Sequence, residues 1–171
     1  MPSPDRHFAN AAIFTHSASG ITPNSGDLAL FAKSNNIFYQ KTNAGTERSI
    51  APAELLVICS DETTALTTGT AKVTLRAPYA FQLTAVRASV TTAPTGSTLV
   101  VDINNAGNSC LSTKLSIDAT ELTSVTAATP AIIDTAQDNF ADDAQITIDI
   151  DQVGSTTAGA GLKVFLYGTR E

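Results

Sequence analysis

Five aspartates are the residues whose type and spacing could do chemistry in this chain: Asp102, Asp142, Asp143, Asp149 and Asp151. Asp149 and Asp151 alternate with isoleucines, so their carboxylates should lie on one face of a strand. With the other three nearby, they would offer the hard oxygen ligands that Ca²⁺ prefers. No loop has the Asp, Asn and Gly spacing that wraps a calcium ion, and a half-buried strand turns such residues to solvent. We therefore predict no resident metal ion and no cofactor.

The same residues do not make up a catalytic site. Two carboxylates alone are a weak indication of a glycosidase, and the chain has no tryptophan to stack on a sugar ring. His7 and His16 lie near several serines, but no Gly-x-Ser-x-Gly sequence marks a nucleophile. The glycine-rich stretch 154–161 lacks the Gly-Lys-Ser/Thr ending of a phosphate-binding loop, and its position predicts a long hairpin turn. We predict that the chain is not an enzyme.

Aromatic side chains offer a different kind of site, a platform for sugars. The candidates are Phe38, Tyr39, Phe81, Phe165 and Tyr167. At alternating positions such residues more often belong to a core or a subunit contact, so glycan binding stays an open alternative.

The two cysteines, Cys59 and Cys110, are too few and too far apart in sequence for a metal site or a redox pair. Each adjoins apolar residues, which predicts buried free thiols that act as small hydrophobic groups. A disulfide between them is the alternative.

Composition limits the partners. The chain has 171 residues, a formal net charge of −6 and only 15% charged residues. Nucleic acid is excluded as a partner because phosphate binding needs clustered Lys and Arg, and here the basic residues are scattered. No apolar run reaches the roughly 18 to 20 residues of a membrane span, and the N-terminus does not have the pattern of a signal peptide. We therefore expect no membrane partner and synthesis in a cytoplasm.

Period-two alternation of apolar and polar residues dominates the chain beyond Glu54. Ile146, Ile148 and Ile150 alternate with polar residues, which is typical of strands with one buried face. The pattern predicts strands near 55–59, 71–76, 79–91, 97–104, 109–117, 131–133, 145–151 and 161–168. A shift of the apolar phase between Ala85 and Val86 predicts a β-bulge. The expected fold is all-β, a two-sheet β-sandwich that is either jelly-roll-like or Ig-like.

Three segments follow from the same patterns. Residues 1–26 have few apolar positions and are predicted to be an extended N-terminal arm. In that arm Phe8, Ile13 and Phe14 are the candidate anchors that would insert into a partner. Residues 27–53 alternate apolar runs with Asn-rich turns and predict a short β-hairpin or meander. Residues 54–171 form the predicted β-sandwich domain.

Several segments resemble a β-sandwich module of tailed-bacteriophage virion proteins. They include Glu54-Leu-Leu-Val-Ile-Cys-Ser-Asp-Glu-Thr-Thr-Ala, Val86-Arg-Ala-Ser-Val, Ala93-Pro-Thr-Gly-Ser-Thr and Ile148-Asp-Ile-Asp-Gln-Val-Gly-Ser-Thr-Thr-Ala-Gly-Ala-Gly-Leu-Lys-Val. Upstream, Leu28-Ala-Leu-Phe-Ala-Lys-Ser-Asn-Asn-Ile-Phe-Tyr-Gln-Lys looks like the small strand–turn–strand element that often precedes such modules in fibre and capsid-associated proteins. The resemblance covers about residues 27–170.

The resemblance implies a non-enzymatic protein and supplies no catalytic residues. We expect a capsid decoration (cement) protein or a head fibre, which stabilises or decorates the particle as a symmetric oligomer. The expected partners are further copies of the chain, in a homotrimer, and the major capsid protein or another virion protein. The expected location is the virion, assembled in the host cytoplasm. The alternative is a tail fibre, an adaptor or a receptor-binding component that binds glycan.

Overall fold

The structure, a computed structural model, describes residues 17, 19–34 and 36–171. It divides into two compact units, of which one ends at Ala51 and the other spans Pro52–Glu171. Strands make up about half of the described residues and all their pairings are antiparallel, so the prediction of an all-β protein is confirmed. The described residues contain no α-helix, only a 3₁₀ turn at Ser124–Thr126.

No helix in the described ranges is long and apolar enough to cross a membrane. The candidate anchors Phe8, Ile13 and Phe14, and the two histidines His7 and His16, lie outside the described residues.

The first unit is a three-stranded meander. Strand β1 spans Leu28–Ala32, β2 spans Phe38–Thr42 and β3 spans Glu47–Ser49, and they pair in that order. Asn36 and Gly45 occupy the turns with φ of 62° and 84°, the left-handed conformation that Asn and Gly adopt at least cost. A meander is what the Asn-rich turns predicted for residues 27–53.

One face of this small sheet is covered by the residues that precede it. The backbone N–H of Ser17 donates to the carbonyl oxygen of Ala32 at 2.8 Å. Gly20 lies directly against the ring of Phe31, where a Cβ atom would come within 2.4 Å of a ring carbon. Only glycine allows so close an approach. These residues therefore pack on the sheet, although the sequence placed them in an extended arm.

The second unit contains eleven strands, beginning two residues before the predicted domain start. They are β4 (Pro52–Ile58), β5 (Gly69–Arg76), β6 (Phe81–Ser89), β7 (Leu99–Asn105), β8 (Asn108–Ser109), β9 (Leu111–Thr113), β10 (Leu115–Ile117), β11 (Ile132–Ile133), β12 (Asn139–Phe140), β13 (Gln145–Gln152) and β14 (Lys163–Arg170). One sheet has the order β10-β7-β13-β5, with β8 paired to β7. A second has the order β12-β6-β14-β4, and β11 pairs with β9.

Both large sheets contribute to one core. Inward residues of β13 and β14 are fully buried, as their alternation predicted: Ile146, Ile148, Ile150, Val164 and Leu166. The same core contains Phe81 and Leu83 from β6 and Val101 and Ile103 from β7. Burial of this much apolar surface is the main stabilisation available to a domain of this size.

The strand positions agree with the sequence pattern except in three places. The predicted strand 109–117 is broken into β8, β9 and β10, and the two-residue strand β12 was not predicted. The predicted bulge in β6 exists, but the extra residue is Thr84, which lies between the paired positions Leu83 and Ala85. Residues 118–129 form a loop with one 3₁₀ turn.

The glycine-rich stretch 154–161 is not a hairpin turn, which corrects the sequence prediction. β13 is paired on both sides, with β5 and β7, and β14 is paired on both sides, with β4 and β6. No edge is left for these two strands to pair with each other, so the stretch links the two sheets. Thr95 holds it in place, since its N–H donates to Thr157 and its carbonyl oxygen accepts from Thr156, at 2.9 and 3.0 Å.

Candidate functional site

The aspartates singled out in the sequence lie in two places. Asp102 on β7 pairs directly with Asp149 on β13, and Asp151 follows at the end of the same strand. Asp142 and Asp143 precede β13, where Asp143 contacts Arg76 of β5. The structure therefore brings three of the five aspartates together, on the five-stranded sheet, and leaves the other two in a turn.

Lys114 occupies the position between Asp102 and Asp151. Its Nζ atom lies 3.1 Å from Oδ2 of Asp102 and 2.6 Å from Oδ2 of Asp151. Hydrogen bonds to Asp151 and Asp102 raise the pKa of Lys114. The ammonium group thus stands where a cation would bind, and sequence analysis missed it because Lys114 belongs to the loop before β10 and only sheet pairing brings it to β13.

Oδ1 of Asp102 and both carboxylate oxygens of Asp149 have protein donors. Oδ1 of buried Asp102 accepts from the hydroxyl of Ser109 at 2.6 Å and from the N–H of Ile103 at 2.9 Å. Asp149 accepts from the N–H of Ala71 at 2.6 Å and from the side-chain amide of Asn104 at 3.0 Å. Within the described residues, no three acidic, histidine or cysteine side chains are placed to hold a metal ion.

We predict that EDTA leaves the melting temperature of the protein unchanged. The ammonium group of Lys114 already occupies the space between the carboxylates of Asp102 and Asp151, where a cation would bind, so we expect no metal ion for a chelator to remove. Differential scanning calorimetry with and without EDTA measures this. A fall of several degrees would mean that a metal ion binds at these aspartates after all.

Replacing Lys114 by Met should destabilise the protein by about 1–3 kcal/mol, the usual cost of leaving a buried polar group without its partner. Asp102 is 5% exposed and would lose its counter-charge while keeping its bonds to Ser109 and Ile103. Asp151→Asn is the matched control: this carboxylate is one-third exposed, so the change should cost less than about 1 kcal/mol. Urea unfolding compares the two, and equal costs would contradict the distinction.

Neither cysteine is placed for nucleophilic chemistry. Both are free, Cys110 is buried and Cys59 is half-buried. Burial raises the pKa of each thiol to about 12, so the reactive thiolate is scarce at neutral pH. Cys59 lines a small cavity of about 160 Å³ together with Leu66 and Ile150, which is consistent with a packing role. The prediction of free thiols is confirmed.

The five aromatic residues do not form one platform. Phe81 is fully buried and stacks on Phe140 with ring centroids 4.7 Å apart, and Tyr39 is buried in the first unit. Phe165 and Tyr167 are the pair that lies side by side on the outer face of the four-stranded sheet, with centroids 6.4 Å apart. A sugar platform on this unit would therefore consist of these two rings at most.

Exposed apolar side chains form the most unusual surfaces of both units. In the first unit Leu28 and Leu30 share the open face of the sheet at 65% and 49% exposure. Ile21 is 86% exposed and lines the same shallow pocket as Leu28. In the second unit Leu56 and Ile58 of β4 are 55% and 64% exposed. A solvated sheet face normally carries polar residues at such positions, so each surface is a candidate for contact with another molecule.

A charged cluster fixes the segment that covers the small sheet. Glu47 on β3 lies 3.0 Å from Lys33 and 3.2 Å from Lys41, and it accepts a hydrogen bond from the hydroxyl of Ser19. Lys41 also donates to the carbonyl oxygen of Gly20 at 3.0 Å. Hydrogen bonds from Ser19 and Lys33 hold the pKa of Glu47 at about 2. The cluster ties the residues before β1 to the far strand of the sheet.

We predict that this unit loosens in acid. Because the folded pKa of Glu47 is depressed from 4.5 to about 2, its contribution to stability is present above pH 4.5 and is lost as the pH falls through 2. The protection factor of the Ser17 amide, from hydrogen exchange by NMR, should fall over that range. In Glu47→Gln the protection factor of the Ser17 amide should already be low at pH 6 and should not change with pH. Asp27 is an exposed carboxylate of the same unit, and Asp27→Asn should behave like the wild type.

Comparisons with known proteins add nothing to these observations. No protein-family model matches the chain, and neither a curated protein nor a solved structure does.

Proposed function

We propose that the two large sheets face each other as a β-sandwich of jelly-roll topology. The support is the strand order: written from one edge, the sheets read β4-β14-β6-β12 and β5-β13-β7-β10. Strands that follow each other in the chain, such as β4 and β5 or β6 and β7, thus occupy equivalent places in different sheets. That is the order of a double Greek-key jelly roll, whereas Ig-like sandwiches connect neighbouring strands of one sheet by hairpins.

We propose that the chain is a non-enzymatic structural protein of a tailed-phage virion, which decorates the capsid through its first unit and displays its β-sandwich. The observation that carries the proposal is the exposed apolar face of the small sheet at Leu28 and Leu30. An apolar surface on a separate, small unit is suited to attachment, because its burial against a neighbour stabilises the contact. The resemblance of residues 27–170 to phage virion modules supports the same function.

The acidic, lightly charged composition fits an oligomeric part of a particle better than a free binding module. We propose a homotrimer, in which further apolar and Thr-rich surface is covered by neighbouring copies. Light scattering of the purified protein should then give a mass of three chains, each of 17.7 kDa, or a multiple of three. A monomer at micromolar concentration would contradict this part of the proposal.

Cryo-electron microscopy of purified particles of the phage that encodes the chain tests the location. We expect density for the β-sandwich at many equivalent positions on the head. If the protein acts as a cement, particles from a phage that lacks its gene should be less resistant to heat or chelation than wild-type particles. A few copies at the tail tip would instead favour the receptor-binding alternative, and absence from the particle would overturn the proposal.

A further inference from the structure

Strand β4 is an open sheet edge that is built to pair with another strand. It is the last strand of the four-stranded sheet, and its other side is paired with β14 without interruption from Pro52 to Ile58. Cys59 donates to Leu162 of the loop before β14, so in an antiparallel ladder the alternate residues Glu54, Leu56 and Ile58 turn their N–H and C=O groups to the open side. In the described part of the chain these six groups have no hydrogen-bond partner.

The other three edges of the two large sheets are blunted in the ways that prevent such pairing. β12 has two residues and β10 has three, which is too short for a ladder. β5 is long, but it contains a register shift, a positive φ of 48° at Ala71 and an exposed Lys72. Bulges, lysines and short strands are the usual protections of an edge. β4 has none of them, and carries exposed Leu56 and Ile58 instead.

We propose that β4 pairs antiparallel with β4 of a second copy of the chain, about a two-fold axis at Leu56. In this register Leu56 lies opposite Leu56 of the second copy, and Glu54 lies opposite Ile58, so all three residues meet a residue with outward backbone groups. Each pair can exchange two hydrogen bonds. The next outward residue is Pro52, which has no N–H, so the ladder ends at Glu54. A two-fold axis at Leu55 would instead place Pro52 opposite Ile58, where the missing proline N–H leaves the carbonyl oxygen of Ile58 without a donor, and would place Leu56 opposite Glu54.

The side chains on the outer face fit the same register. Leu56 is paired with Phe165 across the existing ladder, so the joined sheet carries an apolar row of Phe165, Leu56 and the same residues of the second copy. Ile58 is paired with Lys163, which places Glu54 of the second copy two strands from Lys163, or about 10 Å between Cα atoms. Opposite charges thus border an apolar centre, and no two Glu54 side chains face each other.

The experiment combines mass with hydrogen exchange on the full-length protein. We expect light scattering to give an even number of chains, and NMR to show that the amides of Glu54, Leu56 and Ile58 exchange about tenfold or more slower than solvent-exposed amides. Leu56→Pro should halve the mass, because it removes a donor from the central pair while breaking no bond to β14. Ile58→Glu should do the same, because it places a second carboxylate directly opposite Glu54 of the other copy.

Val125→Glu is the matched control, because Val125 is as exposed as Ile58 but lies in the 3₁₀ turn, so this variant should keep the mass and the amide protection of the wild type. The pairing is independent of the trimer proposed above. Six chains with protected amides support both, and two chains with protected amides support the pairing alone. Three chains in which the three amides exchange freely overturn the pairing and leave the trimer standing, and a monomer at about 0.5 mM, far above the dissociation constants of specific complexes, overturns both.

Discussion

Replacing Phe140 by Ala should destabilise the β-sandwich unit by about 3–5 kcal/mol, the range measured when a large buried aromatic side chain is truncated. Phe140 is fully buried although its strand, β12, has only two residues. Its ring stacks on Phe81 with an interplanar angle of 6°, and Phe81 is its partner across the ladder. Truncation leaves a cavity between these residues and removes the main apolar anchor of β12.

The surroundings of Phe140 are too well fixed to collapse into that cavity. The side-chain amide of Asn105 donates to the carbonyl oxygens of Gln137 and Asn139 at 3.2 and 2.8 Å, and Leu83 donates to the carbonyl oxygen of Asp138 at 2.8 Å. These bonds hold the backbone of the three residues that precede Phe140. The destabilisation by a cavity is largest where the neighbouring residues cannot move to fill it.

Urea unfolding followed by circular dichroism measures the loss, with two comparisons. Phe140→Leu keeps most of the volume and should cost clearly less than the Ala variant. Val125→Ala, at an exposed position, should stay within about 0.5 kcal/mol of the wild type. If Phe140→Ala lowered the free energy of unfolding by less than about 1 kcal/mol, the stack with Phe81 could not be part of the core.

Phe140 also illustrates which parts of the fold the sequence could predict. β13 alternates apolar and polar residues from Gln145 to Asp151, and a pattern of that length identifies both the strand and its buried face. Phe140 stands alone as a large apolar residue among Asp, Asn and Ala, so no alternation of apolar and polar residues predicts a strand there. Its burial follows from pairing with β6, which is a long-range contact.

The same limit applies to the way the strands are connected. The alternation of apolar and polar residues predicts which side chains share a face of a strand, but it does not predict which sheet the strand joins. The stretch between β13 and β14 therefore resembled a hairpin turn, although both strands are already paired on both sides in different sheets. Local turn residues cannot indicate this, because the competing partners β5, β7, β4 and β6 are distant in sequence.

The polar cluster and the open edge were partly predictable. The carboxylates of Asp149 and Asp151 lie on one sheet face as expected. Lys114 reaches Asp151 only because β10 pairs with β7, which carries Asp102. Leu55-Leu56-Val57-Ile58 is an unbroken apolar run, which is typical of strands covered on both faces. The run could have indicated an interface at β4, although only the sheet order identifies the strand as an edge.

Removing the first unit should abolish attachment to the particle and leave the β-sandwich folded. A protein of residues 52–171 keeps the entire core of the second unit, so its melting transition should be close to that of this unit in the full chain. It lacks Leu28, Leu30 and Ile21, whose apolar surface is proposed to bind the capsid. Sedimentation with particles that lack the endogenous protein measures the attachment, and we expect none above background.

A second truncation, which begins at Ser17, separates two sources of that binding. It keeps the hydrogen bond from Ser17 to Ala32, the contact of Gly20 with Phe31 and the small sheet, but removes the predicted anchors Phe8, Ile13 and Phe14. If those anchors bind in grooves of the capsid, this protein should bind more weakly than the full chain, and Phe8→Ala and Phe14→Ala should each cost about 1–3 kcal/mol of binding free energy.

Binding through the small sheet itself should be sensitive to Leu30→Lys, which places a charge on its open apolar face, while Leu122→Lys, at a similar exposure on the other unit, should have no effect. The four variants and two truncations together assign the attachment to the first 16 residues, to the sheet or to both. If residues 52–171 decorate particles as well as the full chain does, the first unit is not the attachment unit. The contact must then be made by the β-sandwich, whose remaining exposed apolar residues are Leu56 and Ile58 on β4 and Leu122, Val125 and Ile132 around the 3₁₀ turn.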